Sequence, residues 1–428
     1  MRVAIHDYAG HPFQFDLSRA LARLGHDVRH FYFADDPGPK GDRRVRAEDP
    51  AGFSVEPIRI PLAYSKDSML RRFICDQLYA HAAARSIAAF KPDVVLSGNA
   101  PLDVQRILRA TAHRRRAKFI FWVQDFYGLA MQKLLARRWF GAGRVIAYCY
   151  RASEIKIMTG SDAIILISPG FLRYLPPGLK TSNRVHVVRN WGSVALITPG
   201  ARDNAWRRKM GLSGQFVFMY TGTLALKHDP QLLLALCDAY AQNEAVQIVV
   251  VAAGINAQRL AELQRQSPRR NLTLLPLQPA EELPEVLATA DVLLAILEED
   301  AGEFAVPSKL LNYLCAGRPI LLSAPGDNLA TVIMEESGAG LTVTPQDASG
   351  FLESAQALHR DDASRQRFGQ SGRAYAERHF AIEAIALRFD GIIRQTLSPA
   401  PFSAASTAQS ESPSPGPGED RVKDLVQP

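Results

Sequence analysis

Apolar residues recur along this chain in two rhythms, short solid runs and longer stretches spaced three and four apart, and the two alternate over most of its length. Solid runs of strand length stand at 2–8, 27–34, 54–60, 93–97, 119–123, 163–168 and 185–189. Helical spacing separates several of them, at 15–24, 69–90, 103–113, 129–158 and 170–174. After the turn-rich Asn190-Trp191-Gly192-Ser193 the rhythm restarts, predicting strands at 216–220, 246–252, 272–277, 292–297, 319–323 and 341–343. Helices are predicted between them at 229–243, 256–267, 279–289 and 307–316, then at 351–358 and 362–396. Strands that alternate with helices form a parallel sheet covered on both faces. The chain is therefore expected to be α/β, with two doubly wound Rossmann-like domains at 1–192 and 193–397. Ligands of such sheets bind beyond the carboxyl ends of the strands, so the two domains should face each other across a cleft. The remainder, 398–428, is rich in Ser, Pro, Gly and Ala, cannot bury a core, and is expected to be a disordered tail.

Composition narrows the class. With 428 residues, 47% hydrophobic and 22% charged, the chain can build a large core. Its cysteines, Cys75, Cys149, Cys237 and Cys315, stand singly, which predicts a reducing compartment and no structural metal. The first residues lack the apolar core of a signal peptide, and no apolar run reaches membrane-spanning length, so a cytoplasmic location is expected. The net charge of +7 is unevenly divided: residues 1–190 hold 30 Lys and Arg against 16 Asp and Glu, the rest 20 against 27. A basic first half suits an anionic surface or substrate. No nucleic-acid-binding motif accompanies the charge, so nucleic acid is not an expected partner. Within 129–156, Arg137, Arg138, Arg144 and Arg151 alternate with Trp139, Phe140, Val145, Ile146 and Tyr148, and Glu154 is the one acid. That mixture suits peripheral docking on the inner face of an anionic membrane; a core-facing helix with solvated arginines is the alternative.

The densest candidate chemistry lies at 306–321. Pro307 fits a first helical turn, Ser308 can bond orphan backbone N–H groups, and Gly317 followed by Pro319 stops the helix. An apolar strand and the loop 298–303 precede it, so a helix N-terminus with its positive dipole end should face the cleft beside the Lys309 charge. A phosphate or diphosphate fits that arrangement, which is otherwise an ordinary capped helix. Lys227, after the loop Thr221-Gly222-Thr223, is placed to share the anion, unless it is a solvated loop lysine. Gly10 should let the backbone approach a ligand closely, or else form a plain βα turn. His11 beside it is a candidate proton carrier, although a lone histidine is more often structural. Asp125, at the cleft end of its strand, could bond a ligand hydroxyl or cap the next helix. Asp35-Asp36 and Asp361-Asp362 have the wrong spacing for a metal-binding DxD, and no GxGxxG or Walker loop occurs, so no catalytic metal, NAD or ATP is expected.

Tyr8-Ala9-Gly10-His11-Pro12-Phe13-Gln14, Trp122-Val123-Gln124-Asp125, Thr221-Gly222-Thr223-Leu224-Ala225-Leu226-Lys227-His228 and Val306-Pro307-Ser308-Lys309, set in two Rossmann-like halves, resemble the bacterial group 1 retaining glycosyltransferases over residues 2–397. More narrowly they resemble the branch that adds sugars such as fucosamine in exopolysaccharide or O-antigen assembly. The resemblance implies a GT-B architecture in which the second domain holds a nucleotide-sugar donor, UDP-linked, and the first holds a lipid-linked or saccharide acceptor. It assigns Gly10, Gly222, Thr223, Lys227, Val306, Pro307, Ser308, Lys309 and Asn312 to donor binding, His11 and Asp125 to the acceptor side, and Glu303, Asp125 and Lys227 to catalysis. The pattern departs from the family in two places. Most members carry two glutamates eight positions apart, the second five residues before the Gly-x-Pro turn, where this chain has Asn312. An amide still bonds ribose hydroxyls. Counting back eight reaches Phe304, so Glu303 is the candidate for the first glutamate, with Glu298 and Glu299 behind it. Thr223 stands where the family often has arginine. A nucleotide-sugar epimerase and a non-catalytic nucleotide-sugar-binding subunit are the alternative readings.

Overall fold

The computed structural model describes residues 1–36, 41, 43–64, 69–136, 142–225, 228–299 and 308–398. Seven parallel strands form the first sheet: β1 (Arg2–Asp7), β2 (Asp27–Phe33), β3 (Phe53–Ile58), β4 (Val94–Gly98), β5 (Lys118–Val123), β6 (Ala163–Leu166) and β7 (Val185–Val187), in the order β3-β2-β1-β4-β5-β6-β7. Six more form the second: β8 (Phe216–Thr223), β9 (Val246–Ala253), β10 (Leu272–Leu275), β11 (Val292–Ile296), β12 (Ile320–Ser323) and β13 (Gly340–Val343), in the order β10-β9-β8-β11-β12-β13. These are the two doubly wound sheets that the apolar runs predict. The runs are solid because helices cover both faces: Val292, Leu293, Leu294, Ala295 and Ile296 of β11 are all buried. Each such Val, Leu or Ile side chain contributes roughly 1.5–3 kcal/mol by leaving water. In each sheet the winding direction reverses once, between β1 and β4 and between β8 and β11, which leaves a crevice at the carboxyl ends of those strands.

The chain crosses between the sheets twice, and both crossings meet in one aromatic cluster. Trp191, on the outgoing linker, stacks on Trp122 at 5.8 Å and meets Phe13 edge-on at 5.2 Å. Phe389, on the helix Ile382–Leu397 that returns at the end, meets Trp122 at 4.9 Å and Trp191 at 6.0 Å. Beside them Gly192 passes over the helix Ser308–Ala316 so closely that a Cβ there would lie 2.6 Å from the Leu311 carbonyl oxygen. The linker thus docks on the helix that carries Lys309.

Three helical expectations are corrected. The expected single helix 129–158 is a hairpin of Tyr127–Ala136 and Ala142–Thr159, with 137–141 outside the described residues. Gly128 N–H donates to Glu154 at 3.0 Å, whereas a continuous helix would hold these residues roughly 39 Å apart. Arg151 also bonds Glu154, so it belongs to the hairpin rather than to a free basic face. The expected helix 362–396 divides into Asp362–His379, which packs beside Ser308–Ala316, and Ile382–Leu397, which packs on Pro12–Arg23 of the first unit. The stretch 279–289 is a 3-10 turn, Ala280–Glu282, leading into Leu283–Thr289, where Pro284 occupies the first turn. The predicted tail beyond Ser398 lies outside the described residues.

Candidate active site

The crevice of the second sheet is built from β8, β11 and the N-terminus of Ser308–Ala316. Tyr313, buried on that helix, accepts the Thr221 backbone N–H at 2.9 Å, which fixes the helix to the end of β8. Lys309, one turn earlier, reaches across the same strand end. Its ammonium lies 3.6 Å from the Tyr220 ring centre and donates to the Tyr220 hydroxyl and to the Thr223 carbonyl oxygen at 3.3 Å. Gly222, with φ of 103°, supplies a backbone conformation that L side chains rarely adopt; a Cβ there would lie 3.6 Å from Lys309 Cε. Burial raises the Tyr220 hydroxyl well above its ordinary range, so it stays protonated beside the lysine. Ser308 is exposed at the start of the helix and Asn312 is half-buried one turn on. These residues bring a cation and a helix N-terminus to one place, a site suited to an anion.

The described residues flanking 226–227 are pinned. Asn256 donates to the Ala225 and His228 carbonyl oxygens at 3.1 and 2.9 Å, and Asp229 N–H donates to Glu298 at 3.0 Å. Glu298 therefore holds the loop after β8, and Glu299 accepts from Gln346. Lys227, Glu303, Val306 and Pro307 lie outside the described residues.

The crevice of the first sheet centres on His11, which precedes the helix Pro12–Arg23. Its backbone N–H and its ring both meet the buried Asp7 carboxylate, with Nδ1 3.2 Å from Asp7 Oδ1. Asn99, in a left-handed conformation (φ 51°) after β4, places Nδ2 3.3 Å from the same ring nitrogen. Burial would raise Asp7, but the His11 charge and the hydrogen bonds from His11 outweigh it and hold the carboxyl at about 2. Behind it His6 bonds Ser97 and Tyr79, each at 2.8 Å, and Tyr8 donates to Asp76 at 2.6 Å. Gly10 has φ of 69°, and a Cβ would lie 3.2 Å from both Arg43 and Tyr32, so its place is taken by this chain's own side chains. Asp125 is exposed beyond the carboxyl end of β5. Sequence reasoning missed Asp7, Asn99, Tyr220 and Tyr313. Asp7 alone left a signal, an acid four residues before His11. Among the described residues no group of three or more His, Cys, Asp or Glu gathers to hold a metal ion.

A glycosyl transferase 4-like domain matches residues 12–191, and a glycosyl transferases group 1 domain matches residues 203–375. The chain carries the two domains of a group 1 glycosyltransferase. Along 311 residues it is 25% identical to the protein of Escherichia coli (strain K12) that bears the name colanic acid biosynthesis glycosyl transferase WcaI, covering 71% of this chain and 74% of that one. Its fold matches sucrose-phosphate synthase from Thermosynechococcus elongatus with a TM-score of 0.72 at 19% identity, over 92% of this chain and 98% of that one. Anabaena HepE, solved in complex with UDP-glucose, matches with a TM-score of 0.66 at 14% identity, over 92% of this chain and 100% of that one. The glycosyltransferase thus has a GT-B fold, with the Lys309 crevice inside the group 1 match and Asp125 inside the 4-like match, which begins one residue after His11.

Proposed function

We propose that this glycosyltransferase moves a sugar from a UDP-linked donor to a lipid-linked or saccharide acceptor in cell-surface polysaccharide synthesis, with retention of anomeric configuration and without a resident metal. The observation that carries the reading is Lys309 at the strand reversal of the group 1 domain, beside the helix N-terminus and the Gly222 turn. The name of the WcaI relative and the UDP-glucose bound in HepE support it. In the proposed step the bond between the sugar carbon and the diphosphate breaks, and Lys309 and the helix N-terminus stabilise the charge that the diphosphate gains. The acceptor hydroxyl bonds to that carbon on the same face and passes its proton to the departing diphosphate. In this reading Gly222, Thr223, Ser308 and Asn312 line the donor side and His11 and Asp125 face the acceptor, while the roles of Lys227, Val306 and Pro307 toward the donor and of Glu303 toward the donor sugar rest on the resemblance alone.

A thermal-shift screen of nucleoside diphosphates and their sugars, with and without EDTA, tests this directly. UDP at a hundredfold excess over its Kd should stabilise the folded state by about 2.7 kcal/mol and raise Tm by several degrees. Equal shifts with all nucleotides, or none, would count against a UDP donor, and a shift lost with EDTA would count against metal independence. Glu303→Gln should lower turnover far more than it lowers affinity for free UDP, because the bare nucleotide lacks the sugar that Glu303 touches. Parent-like turnover in this variant would return the role to Glu298 or Glu299.

The same reading puts the enzyme at the cytoplasmic face of an anionic membrane. Arg144, Val145, Ile146 and Tyr148 of Ala142–Thr159 are exposed, the last at 75%. No helix among the described residues is long and apolar enough to cross a membrane.

A further inference from the structure

Among the described residues, one face of the helix Met69–Phe90 leaves large apolar side chains uncovered. Its core side carries Cys75, Tyr79, Ala80, Ala83, Ile87 and Phe90, all buried against the first sheet. The opposite side repeats at helical spacing and is apolar over the first half: Leu70, Phe73, Ile74 and Leu78 are 70%, 47%, 44% and 39% exposed. An amphipathic helix normally turns charge to water there, so a run of four large exposed apolar side chains needs an occupant.

The same stripe continues into a groove of about 900 Å³ between this helix and Leu102–Arg114. His81, Arg85, Arg106, Arg114 and Arg115 line it, and no carboxylate does. Across 69–90 and 102–116 there are eight arginines against two acids, Asp76 and Asp103, and each acid lies 3.9 Å from an arginine of its own helix. The apolar half is the end nearer the active site, because Asp76 accepts from Tyr8, two residues from Gly10. Val145, Ile146 and Tyr148 stand exposed on Ala142–Thr159, which packs against Leu102–Arg114, so the uncovered apolar side chains extend over neighbouring helices.

We propose that the outer faces of Met69–Phe90 and Leu102–Arg114 form the surface on which the enzyme sits on an anionic lipid bilayer. Leu70, Phe73, Ile74 and Leu78 enter the acyl boundary, while Arg85, Arg114 and Arg115 meet the lipid phosphates. A bilayer is the occupant whose chemistry matches both halves, since lipid offers negative charge and apolar chains side by side. A nucleic acid would leave the apolar half uncovered. The assignment rests on the membrane reading above, but it places the main contact on Met69–Phe90 and Leu102–Arg114, adjoining rather than centred on the basic stretch 129–156, and orients the crevice mouth toward the lipid, where a lipid-linked acceptor would enter.

The test uses the full chain with phosphatidylcholine vesicles that contain or lack phosphatidylglycerol. The parent should co-sediment only with the anionic vesicles and release as salt rises. A combined Leu70→Ser, Phe73→Ser and Ile74→Ser variant, and separately Arg85→Glu with Arg114→Glu and Arg115→Glu, should each bind those vesicles at least about tenfold more weakly. Both sets are exposed and lie outside the nucleotide crevice, so UDP affinity should stay at the parent value. Parent-like vesicle binding by both variants would overturn this surface and leave the membrane reading standing. Absence of binding by the parent at any salt would overturn the membrane reading itself. A parent dimer that the serine variant breaks, with vesicle binding intact, would assign the stripe to a second copy of the chain instead.

Discussion

Replacing Lys309 by alanine is expected to weaken UDP binding by tenfold to a hundredfold while leaving the protein folded. A hydrogen bond to a charged group contributes roughly 1.5–3 kcal/mol, and in the proposed site Lys309 brings such a charge to the diphosphate. The fold should tolerate the loss because the main partner keeps its hydrogen bonding: Tyr220 also donates to the Thr223 carbonyl oxygen at 2.9 Å, and the helix stays fixed through Tyr313 and Thr221. Calorimetry with UDP on the parent and Lys309→Ala, with Tm of the ligand-free proteins as control, makes the measurement. An unchanged Kd would remove Lys309 from the donor site, and a collapsed Tm would assign it to the fold. Tyr220→Phe should cost less than Lys309→Ala, because it removes the hydroxyl that orients the ammonium and leaves both the charge and the ring beneath it.

That site was partly legible in the sequence, and the reasons differ residue by residue. Ser308 and Lys309 could be read because helix-start chemistry is local. Tyr220 and Tyr313 could not, since Tyr220 meets Lys309 across 89 positions and Tyr313 meets Thr221 across 92. The His11 and Asp7 pair is local but sits in a turn whose geometry depends on Gly10 and on Asn99 from β4, which periodicity does not reveal. Strands were legible almost throughout, because burial on both faces leaves solid apolar runs. The helix Leu329–Ser337 was missed although Asn328 caps its start and Gly338, with φ of 57°, ends it, both recognisable signals. The break between Asp362–His379 and Ile382–Leu397 has no glycine or proline to announce it. Ala381 takes an extended conformation there because Phe389 and its neighbours belong to the other unit's core, a tertiary choice that overrides local preference.

Acidification from pH 6.5 to pH 5 should destabilise the protein steeply, through two histidines of the first sheet. Burial lowers His6 to about 4 and His30 to about 3, well below the ordinary histidine value near 6.5. As pH falls through 6.5 the unfolded chain takes up these protons and the folded chain does not, so stability present above pH 6.5 drains away down to the folded values. Between pH 6 and 5 each group contributes a slope on the order of 1.4 kcal/mol per pH unit, and together they approach twice that. His186 and His359, only partly buried, shift in the same direction. Asp16, Asp76 and Glu154 act the other way at lower pH, because burial raises their carboxyls and the folded state takes up those protons first. The histidine effect is therefore best read above pH 5. Urea unfolding at pH 5, 5.5, 6 and 7 provides the slope, and His6→Gln isolates one contributor: its amide can still reach toward Ser97 and Tyr79 but cannot titrate. The variant should be less stable than the parent at pH 7 yet lose roughly half as much stability per pH unit below 6.5. A slope equal to the parent's would show that His6 is already open to protons in the folded protein, and with it the bonded layer beneath Asp7 and His11.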